Sequence, residues 1–139
     1  MKVSEAMTAQ VATAGPTDSV QKVAGIMLSI ETGAVPIVEG DKVVGLITDR
    51  DIVLQVVAKG GQLSTPASEV MSGDVQTCKE DDSLADAAAQ MASHQIRRLI
   101  VANDAGKLVG ILSLGDIAVD YGAKVVGKTL EEISTDNDA

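Results

Sequence analysis

The chain has few of the residues on which catalysis, metal binding and cross-linking usually depend. Among 139 residues there are one cysteine, one histidine, one tyrosine and no Phe or Trp. A single cysteine excludes an internal disulfide, and one histidine leaves no Cys/His cluster for a metal. No Ser/His/Asp or Cys/His arrangement for nucleophilic catalysis is available either. The sequence therefore predicts a protein that is not an enzyme and has no metal site, with Cys78 as a small packed side chain.

Basic residues are also scarce. The chain has 11 Lys and Arg against 20 Asp and Glu, which gives a formal net charge of −9. This balance argues against general binding to nucleic acid or to an anionic membrane, because both need a basic surface. A small phosphate ligand in a locally positive pocket remains compatible with it. The N-terminus lacks the apolar core of a signal peptide, and no run is long enough to span a membrane, so we expect a cytoplasmic protein.

The sequence contains an internal repeat with an offset of 64 residues. Matching residues are Ser4 and Ser68, Met7 and Met71, Val11 and Val75, Asp18 and Asp82, and Met27 and Met91. The offset becomes 65 from Lys42 and Lys107 onward, because the second copy has one extra residue in a turn. Such a small insertion in a surface turn is what a structural repeat tolerates. The chain is therefore predicted to contain two copies of one structural unit.

Each copy is predicted to fold as strand, helix, strand, strand, helix. In the first copy we place the initial strand at residues 11–13, the helix at 19–30, the hairpin strands at 34–38 and 43–47, and the last helix at 49–58. The boundaries are residues 3–61 for the first domain, 62–68 for a linker and 69–126 for the second domain. A short helical turn and a disordered acidic tail occupy 127–139. Because a unit of about 60 residues is marginal alone, we expect an α+β fold in which the two copies pack through their sheets with pseudo-twofold symmetry, which would create two clefts.

In both copies the same sequence motif, called the recurring motif below, joins the second hairpin strand to the following helix. A glycine is followed three residues later by a hydroxyl residue and six residues later by an aspartate. These residues are Gly45, Thr48 and Asp51 in the first copy, and Gly110, Ser113 and Asp116 in the second. One interpretation is a helix capping box, worth about 0.5–2 kcal/mol. The other is a ligand site, and the spacing alone does not separate the two roles.

The arginines distinguish the two copies. Arg97 and Arg98 precede the hairpin of the second copy, where the first copy has Gly33 and Ala34. Neighbouring residues on a strand point to opposite faces, so at most one arginine can point squarely into a cleft. Arg50 lies at a helix start, where a cation is unfavourable unless it meets an anion. Solvent exposure or pairing with a carboxylate is the alternative for all of them.

The sequence motifs of the two copies resemble those of the cystathionine-β-synthase (CBS) domain. The resemblance is carried by residues 35–38 and 44–52 in the first copy and by 96–101 and 109–117 in the second. It extends over about residues 3–122, and the whole resembles a CBS pair, or Bateman module, of the small stand-alone hypoxic-response-protein type.

The resemblance implies a regulatory module that binds an adenosyl ligand such as AMP, ADP, ATP, S-adenosylmethionine or NAD, with no obligatory cofactor. The implied ribose-binding and phosphate-binding side chains are Thr48, Asp51, Ser113 and Asp116, with Arg98, and Arg97 beside it, for phosphate. Arg50 is a further phosphate candidate because of its position at a helix start. The backbone near Ala12 and Gln76 would recognise the adenine edge. In the second copy Ile100 stands where the family often has proline, whereas Pro36 is present in the first, so the two clefts should be unequal.

Two helices indicate a protein partner. Residues 52–57 are apolar around more of the helix than one core face requires. The helix near 83–94 is rich in alanine, which permits close approach of another helix. We therefore expect a homodimer built helix against helix. The alternative function is a structural or protein-interaction module with vestigial clefts.

Overall fold

The computed structural model describes residues 1–9, 11–120 and 131–133, without the side chain of residue 120. The chain divides into two compact units. The first unit is Val11–Val75, and the second unit combines Met1–Gln10 with Gln76–Ala139. Each unit therefore contains the hairpin of one repeat. The predicted packing of the repeats through their sheets, with its two clefts, stays a prediction.

In chain order, the elements are α1 (Val3–Ala6), α2 (Val20–Ile30), β1 (Ala34–Glu39), β2 (Lys42–Thr48), α3 (Asp49–Ile52), a π-helical turn (Val53–Val57), a 3₁₀ turn (Ala67–Glu69), β3 (Thr77–Lys79), α4 (Leu84–His94), β4 (Arg98–Ala102), β5 (Leu108–Ser113) and α5 (Leu114–Asp120). The predicted helix at 49–58 corresponds to α3 and its π-helical continuation. The predicted last helix begins as α5, and its residues 121–126 lie outside the described part of the chain.

The first unit is built on the β1–β2 hairpin, which is antiparallel with Ala34 opposite Thr48. Helix α2 begins where the Ser19 side chain accepts a hydrogen bond from the Lys22 backbone N–H. Its buried residues recur at helical spacing and join the hairpin in one apolar core. The core residues with no more than 2% exposure are Val20, Val23, Val35, Ile37, Ile47, Val56 and Ala67. The predicted helix and hairpin of the first copy are thus confirmed.

The second unit has a three-stranded sheet in the order β3-β4-β5. Strand β3 is parallel to β4, and β4 is antiparallel to β5. Helix α4 is capped by Ser83, whose side chain accepts from the backbone N–H of Asp86. The fully buried side chains of this core include Leu84, Met91, Leu99, Leu112 and Ile117. Residues 131–133 are helical, and Ile133 lies in the same core.

The strand predicted at residues 11–13 is wrong. In its place the first unit has a single parallel bridge between Ala14 and Ile37. Toward Ala12 the parallel ladder would need the N–H of residue 36, and beyond Ala14 it would need that of residue 16, but both residues are prolines. The second unit makes both bonds at the corresponding positions: the Ile100 N–H donates to the Gln76 carbonyl at 3.1 Å, and the Glu80 N–H donates to the Ala102 carbonyl at 3.3 Å. Prolines on both sides of the bridge therefore end the ladder in the first unit and not in the second.

The segment expected to be a linker, residues 62–68, packs within the first unit. The Val20 N–H donates to the Thr65 carbonyl at 2.9 Å, and the Ala67 N–H donates to the Asp18 carbonyl at 2.7 Å. Ala67 has no solvent exposure. The first bond supplies an acceptor to an N–H at the start of α2, which needs a partner outside the helix, and the second lies just before the N-cap residue Ser19. The residues before the second repeat thus complete the unit of the first.

The N-terminal residues do the same in the second unit. The Val3 N–H donates to the Asp82 carbonyl at 2.8 Å, and the Leu84 N–H donates to the Met1 carbonyl at 3.0 Å. Residues 1–9 and their counterparts 65–73 are the lead-in segments of the two repeats. Each lead-in therefore packs against the start of the helix in the other repeat. The compact units for this reason divide the chain at places other than the predicted repeat boundaries.

Each lead-in also joins the edge of a hairpin through a paired contact. In the second unit, Thr8 and Ile111 exchange backbone hydrogen bonds of 2.9 and 3.0 Å, and Met7 covers Gly110. In the first unit, Ser72 and Leu46 exchange two bonds of 3.0 Å, and Met71 covers Gly45. A Cβ on either glycine would overlap the methionine. The glycine of the recurring motif therefore makes room for the lead-in segment.

No helix in the described residues is both long enough and apolar enough to cross a membrane. The predicted tail at 127–139 falls outside the description apart from residues 131–133.

Candidate functional site

The junction of β2 and α3 is a complete capping box. The Thr48 side chain accepts a hydrogen bond from the Asp51 N–H at 3.1 Å. In return the Asp51 carboxylate accepts from the Thr48 N–H at 2.9 Å, through Oδ2. Both side chains are half-buried. The interpretation of the recurring motif as a helix capping box is therefore confirmed in the first unit.

The junction of β5 and α5 has the same geometry. The Ser113 hydroxyl accepts from the Asp116 N–H at 3.0 Å, and Asp116 Oδ2 accepts from the Ser113 N–H at 2.9 Å. Both residues are again half-buried. The change from threonine to serine leaves the hydrogen bonds unchanged, because both residues supply the same hydroxyl acceptor.

Each capping aspartate uses only one of its two carboxylate oxygens. Oδ1 of Asp51 and Oδ1 of Asp116 have no hydrogen-bond partner among the residues that the structure describes. An ionised carboxylate offers about four acceptor positions, so the cap leaves most of this capacity unused. The hydroxyls of Thr48 and Ser113 accept a bond but donate none to a described residue. The cap and a ligand contact are therefore compatible at both junctions.

Arg98 lies beside the second junction. It is directly opposite Ser113 in the β4–β5 pairing and is half-buried. The corresponding pair in the first unit is Ala34 and Thr48, and Ala34 is 4% exposed. The backbone register thus confirms that Arg98 and Ala34 are counterparts. One junction has a guanidinium where the other has a buried methyl group.

The other two arginines are exposed. Arg97 has its carbonyl bonded to the Leu114 N–H at 2.9 Å, as Gly33 has to the Asp49 N–H at 3.0 Å. Arg50 lies in α3. None of the chain's three arginines forms an ion pair with a described residue, although the chain is strongly acidic. Within the described part of the chain, no carboxylate therefore neutralises these guanidinium groups.

The two backbone segments expected near the ligand base differ. Gln76 precedes β3, and its carbonyl accepts from the Ile100 N–H at 3.1 Å. Ala12 lies in irregular backbone two residues before the Ala14 bridge. The structure places Ala12, Arg50, Thr48 and Asp51 in the first unit, and the remaining predicted site residues in the second. Contact of these residues with a ligand stays a prediction.

Sequence reasoning missed the role of the prolines and of the two covering methionines. The effect of Pro16 on the strand pairing follows from its missing N–H, but it could have been predicted only if the register of the parallel pair had been known. Met7 and Met71 match at the repeat offset, yet the glycines they cover lie far away in sequence. Nothing local indicates that contact.

Cys78 is buried in β3 at 5% exposure. Burial, with a smaller effect of the nearby Asp82 carboxylate, raises the pKa of its thiol to about 11. A thiol with this pKa is almost entirely protonated at neutral pH, so it is a poor nucleophile. In the described residues no group of three or more His, Cys, Asp or Glu side chains is placed to hold a metal ion.

Comparison with known proteins identifies the family. The model of the CBS domain matches the chain twice, at residues 3–58 and 67–121. A relative from Bacillus subtilis (strain 168), the CBS domain-containing protein YhcV, is 43% identical over 136 residues, which cover 97% of this chain and 96% of the relative.

Solved structures give the same result. Hypoxic Response Protein I, solved with two coordinated zinc ions, has a TM-score of 0.75, 30% identity and coverage of 86% of this chain and 98% of its own. The Pyrobaculum aerophilum CBS protein PAE2072, complexed with AMP, has a TM-score of 0.79, 26% identity and coverage of 97% and 99%. The CBS pair of MJ0100, in complex with 5′-methylthioadenosine and S-adenosyl-L-methionine, has a TM-score of 0.78, 28% identity and coverage of 89% and 98%. The chain therefore belongs to the CBS domain family and carries two CBS domains in tandem, as its resemblance indicated.

Proposed function

We propose that the protein is a non-catalytic regulatory module that binds an adenosine-containing ligand at its strand-to-helix junctions. AMP, ADP, ATP, S-adenosylmethionine and NAD are the candidate ligands. Binding would change the conformational equilibrium of the pair and so alter the activity of a protein partner.

The observation that carries the proposal is the unused carboxylate oxygen at each junction. Asp51 and Asp116 are held in fixed positions by their own caps, and no described residue donates a hydrogen bond to their Oδ1 atoms. A ribose presents two neighbouring hydroxyl donors, which suits a carboxylate that does not have to reorganise on binding. Two relatives of similar fold were solved with adenosyl compounds, which supports the same ligand class here.

The arginine beside Ser113 supports a phosphate at the second junction. Arg98 is half-buried and has no carboxylate partner among the described residues. A planar guanidinium forms two parallel hydrogen bonds with a phosphate. The first junction has Ala34 at this position, so a phosphate there would have to rely on Arg50. We therefore propose that the two junctions differ in affinity for phosphorylated ligands.

A thermal unfolding screen tests the proposed function. The protein is heated with and without each candidate ligand at millimolar concentration. A ligand at 100 times its dissociation constant adds about 2.7 kcal/mol to the free energy of unfolding, which raises Tm by several degrees. We expect AMP to raise Tm and adenine alone to have a smaller effect, because adenine lacks the ribose. An unchanged Tm with every adenosyl compound would contradict the proposal.

An interaction module is the second candidate function, and the exposed apolar side chains of the first unit favour it. Leu28 in α2 is 83% exposed, and Val53, Leu54 and Val57 in the π-helical turn are 45–64% exposed. Exposed apolar side chains concentrated on neighbouring helices are typical of an interface. We propose a homodimer through these helices. Sedimentation should give the mass of two chains, and Leu28→Lys with Val57→Lys should give that of one. A monomeric wild-type protein at micromolar concentration would contradict it.

A further inference from the structure

Two of the five methionines combine partial exposure with a contact to the recurring motif. Met27 and Met91 are buried, at 8% and 0% exposure, and Met1 is 57% exposed. Met7 and Met71 are half-buried and correspond to each other at the repeat offset. Each unit therefore contains one methionine that is shielded from solvent and one, beside the recurring motif, that a small oxidant in the solvent can reach.

The sulfur of each half-buried methionine lies against the glycine of the recurring motif. A Cβ on Gly110 would lie 2.7 Å from Met7 Sδ, and Met71 Sδ is likewise the atom nearest to a Cβ on Gly45. Both methionine side chains also pack against the apolar core of their own unit. The atom that an oxidant attacks is therefore the atom through which the lead-in segment contacts the hairpin.

A peroxide would convert this apolar contact into a polar one. The sulfur attacks one peroxide oxygen, an S–O bond forms as the O–O bond breaks, and the proton on the transferred oxygen passes to the departing hydroxide. The sulfur is oxidised by two electrons, and the products are a sulfoxide and water. The sulfoxide oxygen is a hydrogen-bond acceptor, and an acceptor without a donor is unfavourable against an apolar core.

The residue after each of these methionines joins the hairpin edge through two backbone hydrogen bonds. Thr8 is paired with Ile111, and Ser72 with Leu46, at 2.9–3.0 Å. The four N–H groups of these pairs are the lead-in amides. Ile111 and Leu46 each lie two residues before the hydroxyl residue of a capping box. A methionine that withdraws from its glycine therefore loosens the bonds just before a strand-to-helix junction.

We propose that Met7 and Met71 are paired modification sites, at which oxidation by a peroxide releases the lead-in segments from the edges of the two hairpins. The change is reversible, because enzymes that reduce methionine sulfoxide regenerate the thioether. The junction that follows each hairpin edge then binds an adenosyl ligand more weakly, and this last consequence alone rests on the proposed function.

The test treats the protein with hydrogen peroxide at neutral pH and maps the sulfoxides by mass spectrometry of its peptides. Met7 and Met71 should be oxidised well before Met27 and Met91. Hydrogen exchange at the lead-in amides should then become about tenfold faster, the factor expected when one buried polar group is left without a partner. Treatment with the two sulfoxide reductases, one for each sulfoxide epimer, should restore the original protection.

Leucine variants supply the matched controls, because leucine keeps the apolar volume of methionine and has no sulfur to oxidise. In a protein with both Met7→Leu and Met71→Leu, peroxide should leave exchange at the lead-in amides unchanged. Met7→Leu alone should remove the response in the second unit and keep it in the first. Met27→Leu should respond to peroxide as the wild-type protein does.

Three results would overturn the inference. In the first, Met7 and Met71 are oxidised no faster than the buried methionines. In the second, their sulfoxides form and the lead-in amides stay protected. In the third, the double leucine variant responds to peroxide as the wild-type protein does.

An AMP titration before and after oxidation separates this inference from the proposed function. We expect the oxidised protein to bind AMP more weakly and the oxidised double leucine variant to bind it as before. A wild-type protein that binds no adenosyl compound would contradict the proposed function, while faster exchange at the lead-in amides would still support the modification sites. Released lead-in amides with unchanged affinity for AMP would overturn only the effect of oxidation on the ligand.

Discussion

Replacement of Gly110 by alanine tests whether the recurring glycine makes room for the lead-in segment. A Cβ at this position would lie 2.7 Å from Met7 Sδ and 2.8 Å from the Thr8 carbonyl oxygen. The methionine can change rotamer, but the carbonyl belongs to the backbone. Relief of the overlap therefore requires the Thr8–Ile111 pair to separate.

The expected cost follows from that pair. It contains two backbone hydrogen bonds, of 2.9 and 3.0 Å. At about 0.5–1.5 kcal/mol each, their loss would lower the free energy of unfolding by about 1–3 kcal/mol. For a chain of this size that corresponds to a fall in Tm of several degrees. Urea denaturation and thermal unfolding of Gly110→Ala measure both quantities.

Two other glycines provide graded controls. At Gly45 the three atoms nearest to a Cβ are side-chain atoms of Met71, with no backbone atom among them, so Gly45→Ala should cost less than Gly110→Ala. Gly25 lies in α2 with nothing within 4 Å, so Gly25→Ala should stabilise the protein by about 0.5–1 kcal/mol. The reasoning is refuted if Gly110→Ala is as stable as the wild-type protein, or if Gly45→Ala costs more.

Three further predictions concern individual side chains. Asp116→Ala should lower the free energy of unfolding by about 0.5–1.5 kcal/mol in urea denaturation, because the Ser113 N–H loses its acceptor, and Asp116→Asn should cost less because its amide oxygen can still accept that bond; equal losses would contradict the role of Asp116 in the capping box. Cys78 should react with iodoacetamide at pH 8 far more slowly in the folded protein than in urea, because its pKa is raised from 9.0 to about 11; equal rates would be inconsistent with burial. The Gly15 N–H and then the Lys22 ammonium lower the pKa of Asp18 below 3.8, so its contribution to stability is complete above that pH and is lost as the pH falls through the lowered pKa. The stability of Asp18→Asn should accordingly depend less on pH below 3.8, and an unchanged acid dependence would contradict this assignment.

The local features of the fold could be predicted from the sequence because short-range interactions determine them. The hairpin strands are apolar runs around a turn, and the helix starts at Thr48 and Ser113 are set by side chains three residues away. The capping residue Ser19 is determined in the same local way. The repeat added the correspondence between the two copies, and with it the asymmetry between Arg98 and Ala34.

The remaining features depend on contacts between distant residues. The exchange of lead-in segments joins Met1 to Leu84 and Thr65 to Val20, and no local pattern indicates such pairs. The missing strand near Ala12 depends on a proline in a neighbouring segment, since the lost donor belongs to Pro36. That no described residue bonds to either Oδ1 could not be predicted, because the spacing gives the cap but not which carboxylate oxygen it uses.

The most direct test of ligand binding at the junctions is an AMP titration of a protein that carries both Asp51→Asn and Asp116→Asn. Asparagine keeps an acceptor for the cap but replaces the free carboxylate oxygen by an amino group, so binding and folding are separated. We expect the wild-type protein and the exposed neighbour variant Asp49→Asn to bind AMP, and the double variant to remain folded and lose binding. Unchanged affinity in the double variant would contradict the account, because the carboxylates would then serve only as helix caps.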